Sequence, residues 1–210
     1  MSKAYFLKTD RIGFSKWYDE DLPLAKLLWG DPAVTRYICA NGSFSQSDIE
    51  NRLQHELENE KLFGIQYWPI FELTSGELIG CCGLRPRGEK QYELGFHLRP
   101  QFWGQGIAVE AANAVVVYAF DVLQAESLFA GHNPYNVNSA KVLKKLGFTF
   151  VGEEFYAPTG LNHPSYVLKK PMSCRFATQL ENIQWNIKQL KGSVEKYIIG
   201  FQKPTIDRTK

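Results

Sequence analysis

The segment Leu98-Arg99-Pro100-Gln101-Phe102-Trp103-Gly104-Gln105-Gly106-Ile107-Ala108 has the composition of an anion-binding turn. It stands between a strand-like run over residues 92–98 and a helical run that continues through Val109, Glu110 and Ala111. A loop entering a helix leaves several backbone N–H groups without internal partners; glycine lets that backbone approach an anion closely, and the helix dipole favours negative charge there. An ordinary tight turn fits the same two glycines. The string lacks the Lys-Ser/Thr of a P-loop and the third glycine of a dinucleotide fingerprint, so it implies neither nucleotide-binding class.

Other chemistry-bearing residue types are scattered. Cys39, Cys81, Cys82 and Cys174 form no C-x-x-C pair, and the adjacent Cys81 and Cys82 should point to opposite faces of a strand, a poor arrangement for chelation or bridging. His55, His97, His132 and His163 are widely spaced, with neither a zinc signature nor a Cys-His or Ser-His-Asp context. Packing or surface positions are expected for all eight, and no metal site is expected.

The elements that must position the loop follow from periodicity. Residues 11–17 alternate as a strand does, and Leu22, Leu24, Leu27 and Leu28 follow an Asp-Glu-Asp start as a helix. Ser45 or Ser47 can cap a second helix carrying Ile49, Leu53 and Leu57 on one face, with a charged opposite face. Strand-like runs at 65–73 and 77–84 are joined at Ser75-Gly76, and Pro69 demotes part of the first run to an edge or bulge. After the loop, Ile107, Ala111, Val115, Tyr118, Ala119 and Val122 recur at helical spacing, and residues 127–131 form a short strand, completing a βαβ unit. Ser139, Val142, Leu143 and Leu146 then predict a helix ended by Gly147, and residues 148–156 and 165–168 supply the last strands.

The 210 residues, 44% of them hydrophobic, suffice for one α/β domain with a tail. With 24 basic and 22 acidic side chains, a net charge of +2 creates no broad field for nucleic acid or an anionic membrane. The amino terminus lacks a signal-peptide apolar stretch, and the longest apolar run (residues 114–120) is too short for a bilayer, so a soluble cytoplasmic protein is the expectation.

Gln101, Gly104 and Gly106 match the pattern Q/R-x-x-G-x-G/A of the pyrophosphate loop in the GNAT superfamily of N-acetyltransferases. The chain resembles that superfamily over most of residues 8–170, and resembles most the branch of ribosomal-protein alanine N-acetyltransferases. Leu7-Lys8-Thr9-Asp10-Arg11-Ile12, Gly80-Cys81-Cys82-Gly83-Leu84, Glu93-Leu94-Gly95-Phe96, Asn136-Val137-Asn138-Ser139 and Lys145-Leu146-Gly147-Phe148 recur in order. The resemblance implies a single domain over residues 1–170, with a central mixed, mostly antiparallel sheet flanked by helices and two splayed parallel strands at the coenzyme A site.

The same resemblance implies acetyl-CoA as cosubstrate, held by Leu98, Arg99, Gln101, Trp103, Gly104, Gln105, Gly106, Ile107, Ala108 and Asn136. Amides of residues 103–108 would receive the pyrophosphate, and a backbone N–H near Leu98 would meet the thioester oxygen. Acyl transfer to an amine needs a neutral nucleophile, whereas a lysine-like amine titrates near 10 and an α-amine near 8, so a proton must be removed. Glu93 matches a glutamate often used as that base in the superfamily, commonly through water; binding a cationic substrate or a structural ion pair is the other reading. Glu110 is expected to be architectural. Where many members carry a tyrosine acid this chain has Leu143, leaving Ser139 as the nearest replacement, with simple packing equally open. Asn136 is also a good helix cap. Lys141, Lys144 and Lys145 either meet the 3′-phosphate or complement their helix dipole. Trp68, Trp103 and Phe155 either line an acceptor pocket or pack in the sheet.

The expected activity is acetyl transfer from acetyl-CoA to a primary amine of a protein terminus, peptide or small molecule, by direct attack in a ternary complex. The alternative is a noncatalytic acyl-CoA-binding sensor or partner-binding module, with a structural scaffold third. In residues 171–210, Leu180, Ile183, Ile187, Leu190, Val194 and Tyr197 form a helical apolar seam suited to docking on the domain or to a homodimer contact, followed by a tail.

Overall fold

A computed structural model describes residues 4–170. The apolar seam expected over residues 180–197 lies outside the described residues. Among the described residues, eight strands form one sheet: β1 (Leu7–Lys8), β2 (Ile12–Phe14), β3 (Tyr67–Glu72), β4 (Leu78–Gly88), β5 (Gln91–Leu98), β6 (Ser127–Gly131), β7 (Thr149–Tyr156) and β8 (Leu161–Lys169). Their spatial order is β1-β2-β3-β4-β5-β6-β8-β7, and the β5–β6 pair is parallel while the other pairs are antiparallel. Helices α1 (Leu22–Trp29), α2 (Pro32–Thr35), α3 (Gln46–Phe63), α4 (Ile107–Asp121) and α5 (Val137–Lys145) connect them.

Local chemistry explains the boundaries. Of the two candidate caps, Ser45 begins α3: its hydroxyl accepts the Asp48 N–H at 3.2 Å, and the Asp48 carboxylate accepts the Ser45 N–H at 2.8 Å, satisfying two of the donors that a helix start leaves open. Ile49 and Leu53 of α3 pack with Trp17, Leu28, Trp29 and Cys81 in one core layer, whereas Cys82 belongs to the layer formed with Ile70, Leu84 and the apolar stripe of α4. Adjacent cysteines thus face opposite sides of β4, as strand alternation requires.

Of the two expectations at Pro69, the bulge is present and the edge is not. Pro69 lies in β3, an interior strand flanked by β2 and β4, rather than on an edge. Its carbonyl still pairs, accepting the Ser15 N–H at 3.0 Å, so its missing donor faces the same side, just past the end of β2 at Phe14; a register shift against β4 falls one step on, between Ile70 and Phe71. The short α2 has no counterpart in the sequence pattern, because four residues do not complete one apolar repeat. Placement of β8 between β6 and β7 likewise depends on a long-range return that periodicity does not encode.

One irregularity positions the site. Strands β5 and β6 pair only at Gln91↔Ser127, Tyr92↔Leu128 and Glu93↔Phe129. Beyond Glu93, β5 continues against β4 to Leu98, while β6 continues against β8 to Gly131. The sheet therefore opens between two parallel strands, directly ahead of the glycine loop.

Candidate active site

Arg99 N–H donates to Ile79 O on the β4 side at 2.9 Å, so strand alternation turns the amides of Leu98 and Phe96 to the opposite edge, into the opening. Loop residues roof it. Pro100–Phe102 make a single 3-10 turn, and the Trp103 indole donates to Leu98 O at 2.7 Å. Gly104 and Gly106 have φ values of 75° and 78°, a region that side chains with a Cβ adopt at a cost. A Cβ on Gly104 would meet no atom within 4 Å, so the requirement there is conformational rather than for room. Gly106 begins α4 without a side-chain cap, and its carbonyl accepts the N–H groups of both Val109 and Glu110. The amides of Ile107 and Ala108 precede those bonds and are available to an anion, at the positive end of a fifteen-residue helix.

Side chains hold this loop from outside. Arg99 donates to Glu77 Oε1 and Leu78 O, both at 2.8 Å, and Gln101 donates to Glu77 Oε1 at 3.1 Å. The Arg99 hydrogen bond holds the Glu77 carboxyl below its usual range. Gln105 donates to Gln101 O at 2.7 Å, while Arg11 donates to Gln105 O at 3.1 Å and to Glu110 Oε2 at 2.7 Å. Thr9 donates to the other Glu110 oxygen at 2.6 Å. Glu110 is thus the post that ties the chain's first hairpin to α4, an architectural role.

A cavity of about 590 Å³ extends from the loop, through the opening, to a wall formed by β3, β4 and α3. Glu93, the last β5 residue paired to β6, projects into it. The Tyr67 hydroxyl donates to Glu93 Oε1 at 3.0 Å. Burial, and then the Glu93 charge, push the Tyr67 phenol well above 10, so it remains a donor. Gly95 makes this contact sterically accessible: a Cβ there would lie 2.2 Å from the Tyr67 ring. Behind Tyr67, the guanidinium groups of Arg85 and Arg52 sit 4.5 and 5.3 Å from the ring centroid. On the opposite wall, the Asn136 side chain accepts the Ser139 N–H at 3.2 Å and caps α5. Ser139, Leu143, Lys141 and Lys145 of α5 face the same cavity.

Chemically, this arrangement offers free amides and a helix dipole for a pyrophosphate, an open strand edge for an extended amide-bearing arm, and a carboxylate at the far end. Residues 11–149 match the acetyltransferase (GNAT) domain family. The chain belongs to the GNAT acetyltransferase family. This acetyltransferase is 31% identical over 148 residues to the uncharacterized protein YkkB of Bacillus subtilis, covering 69% of the chain and 85% of that relative. It is 37% identical over 143 residues to the uncharacterized N-acetyltransferase YnaD of the same organism, covering 67% and 81%. Its fold is similar to that of the ribosomal-protein acetyltransferase RimL in complex with coenzyme A, at 16% identity, a TM-score of 0.65, and coverage of 77% and 95% of the two chains.

Of the residues singled out by sequence, the acetyltransferase fold brings Glu93, Leu98, Trp103, Gly104, Gly106, Ile107, Ala108, Asn136 and Ser139 to one cavity. Arg99, Gln101 and Gln105 do not line it; their side chains brace the loop. The Trp103 amide is spent on Pro100 O at 3.0 Å and its indole N–H on Leu98 O at 2.7 Å, so neither is a free donor. Trp103 and Phe155 border the cavity, whereas Trp68 is buried in the core. His97, His132 and His163 also reach the cavity wall. His97 accepts from the Trp29 indole at 3.1 Å, and burial, then Arg52 and Arg85, push it well below 6.5. Cys81, beside it, is pushed up to about 12 by burial and is no thiolate nucleophile at neutral pH. Among the described residues, no group of three or more His, Cys, Asp or Glu could hold a metal ion, and no helix is long and apolar enough to cross a membrane.

Sequence reasoning missed Tyr67, Arg52 and Arg85. The one signal available was the spacing of Arg52 and Glu56, four apart on α3, which reads as a solvated pair on the charged face. Instead Glu56 is fully buried.

Proposed function

We propose that the protein transfers the acetyl group of acetyl-CoA to a primary amine by direct attack in a ternary complex. The observation that carries this reading is the position of Glu93, where β5 and β6 part, within the cavity and held by the Tyr67 hydroxyl at 3.0 Å. In this reading the loop amides of Ile107 and Ala108 take the pyrophosphate, the pantetheine arm lies along the open β5 edge, and Lys141 and Lys145 serve the 3′-phosphate. Asn136 borders the arm while capping α5. The Leu98 amide, turned into the opening by strand alternation, donates to the thioester oxygen as negative charge develops there.

Glu93 accepts a proton from the incoming ammonium, directly or through water, and the neutral nitrogen attacks the thioester carbon. A C–N bond forms, the C–S bond breaks, and the departing sulfur takes a proton to give free coenzyme A. Ser139 is the hydroxyl on α5 assigned to assist that last step. Relatives named N-acetyltransferases support the choice of nitrogen as acceptor. Acetyl-CoA turnover measured with amine acceptors tests the proposal: acceptor-dependent thiol release with an N-acetyl product is expected, and tight acetyl-CoA binding without product would favour a noncatalytic sensor.

A further inference from the structure

The wall opposite the loop carries more positive charge than its protein partners neutralise. Glu56 of α3 is fully buried, and both of its oxygens are committed. Oε2 accepts the Tyr67 N–H at 2.7 Å; Oε1 accepts from Arg85 Nη2 at 2.8 Å and lies 3.0 Å from Arg52 Nε. Two guanidiniums therefore share one oxygen. The Arg52 side chain is only 10% exposed, yet its Nε and Nη2 have no hydrogen-bond partner, and neither does Arg85 Nε. Arg52 Nε is close enough for ion pairing but is not aligned to donate. Such orphaned donors are costly, and structures rarely keep them without a ligand or solvent to meet them. Both side chains line the acceptor cavity, as does Arg36, while Arg87 Nη2 already donates to both Glu154 oxygens, at 2.6 and 2.8 Å.

The remaining counter-charge is Glu93, on the far side of Tyr67. That tyrosine spans the two halves: its hydroxyl is 3.0 Å from Glu93 Oε1, and its ring centroid is 4.5 Å from the Arg85 guanidinium carbon. An ammonium group arriving at Glu93 neutralises that carboxylate and leaves one guanidinium of the pair uncompensated. We infer that the acceptor is an amine that also carries a carboxylate, its nitrogen directed to Glu93 and its carboxylate to the Arg52–Arg85 pair one phenol ring away. Arginine suits the second task because its planar fork keeps donors in hand after one edge has bound Glu56. A simple alkyl diamine or an aminoglycoside-like polycation would meet like charge on this wall.

This inference rests on the amine-acetylation reading, so its test has arms that separate the two. With acetyl-CoA and full-length protein, kcat/KM is measured for alanine, alaninamide and ethylamine, and for the dipeptide amides Asp-Ala and Asn-Ala. The carboxylate-bearing member of at least one set is expected to be favoured about tenfold or more. Preference for alanine assigns a free amino acid, and preference confined to Asp-Ala assigns an acidic peptide terminus. Arg85→Gln should abolish the preference, Arg85→Lys should restore part of it, and KM for acetyl-CoA should be unchanged in both; a thermal melt checks folding. Independently of turnover, N-acetylalanine, N-acetylalaninamide, N-acetyl-Asp-Ala amide and N-acetyl-Asn-Ala amide are titrated calorimetrically into the coenzyme A-loaded protein. Tighter binding of a carboxylate without any turnover would keep the Arg52–Arg85 pair as a carboxylate site and overturn the catalytic reading, and with it the assignment of an acceptor. Acetylation of all amines without preference, or equal binding within both N-acetyl pairs, would overturn the inference and leave Arg52 and Arg85 as supports for Glu56.

Discussion

The two ends of the cavity are built in different ways. At the cofactor end, one continuous stretch of eleven residues provides the turn, the two left-handed glycines and the free amides at the start of α4. At the acceptor end, Arg52 comes from α3, Tyr67 from β3, Arg85 from β4 and Glu93 from β5. In the proposed function, backbone geometry holds the anion, so the identity of most loop side chains would matter little to it. Side-chain charge would hold the acceptor, so each residue there depends on partners far away in sequence. The loop can consequently be kept across relatives while the acceptor wall is rebuilt, which is how one fold serves many substrates.

The comparison can be broken most forcefully at Glu56. Replacing it with Ala leaves two guanidiniums around an empty site and should destabilise the protein by about 3–5 kcal/mol, the cost of removing one partner from a buried ion pair. Chemical denaturation of wild type and variant measures this, and a loss below about 1 kcal/mol would mean that the arginines are solvated rather than buried against Glu56. Next in size, Glu93→Gln should lower kcat about 100-fold or more while leaving acetyl-CoA affinity within about twofold of wild type, the signature of a group used in proton transfer rather than donor binding.

The opposite separation is expected at the loop. Gly104→Glu adds negative charge beside the pyrophosphate position and a Cβ at φ 75°, and should weaken coenzyme A binding about tenfold or more by calorimetry. Unchanged affinity would remove the loop from the cofactor site. Tyr67→Phe retains the ring beneath Arg85 and deletes only the hydroxyl on Glu93. A change of about 0.5–1.5 kcal/mol, read as a several-fold fall in kcat, is expected from one lost hydrogen bond.

The smallest effect concerns pH. His97 is held well below 6.5 in the folded protein by burial and the two arginines, so the unfolded chain binds more protons in the intervening range. Its contribution to stability is complete above 6.5 and is lost as pH falls from there toward the folded value. Denaturation of a His97→Asn variant between neutral and mildly acidic pH should show a shallower loss of stability than wild type; identical slopes would place the titration elsewhere.

Legibility in the sequence follows the same division. The glycine loop, α4, β6 and the Ser45 cap were readable because local backbone demands act over a few residues. Cys81 and Cys82 were readable as opposite faces because strand alternation is local as well. The irregularity expected around Pro69 is present, but the interior position of its strand was not legible, because that depends on which distant segments flank it. Arg52 and Glu56 were hidden for a related reason: a charged pair at helical spacing reads as solvated until β3 and β4 close over it. Gly95 gives no local sign of its purpose, since only the folded sheet brings the Tyr67 ring to within 2.2 Å of its missing Cβ.

The most direct test of the central claim is acetyl-CoA turnover with primary amines and peptide amino termini, following free thiol while mass spectrometry identifies products. Stoichiometric release of thiol with an N-acetylated amine, lost in Glu93→Gln while acetyl-CoA still binds, is the predicted result. Saturable acetyl-CoA binding with no acetylated product across the carboxylate-bearing and plain amines would contradict it.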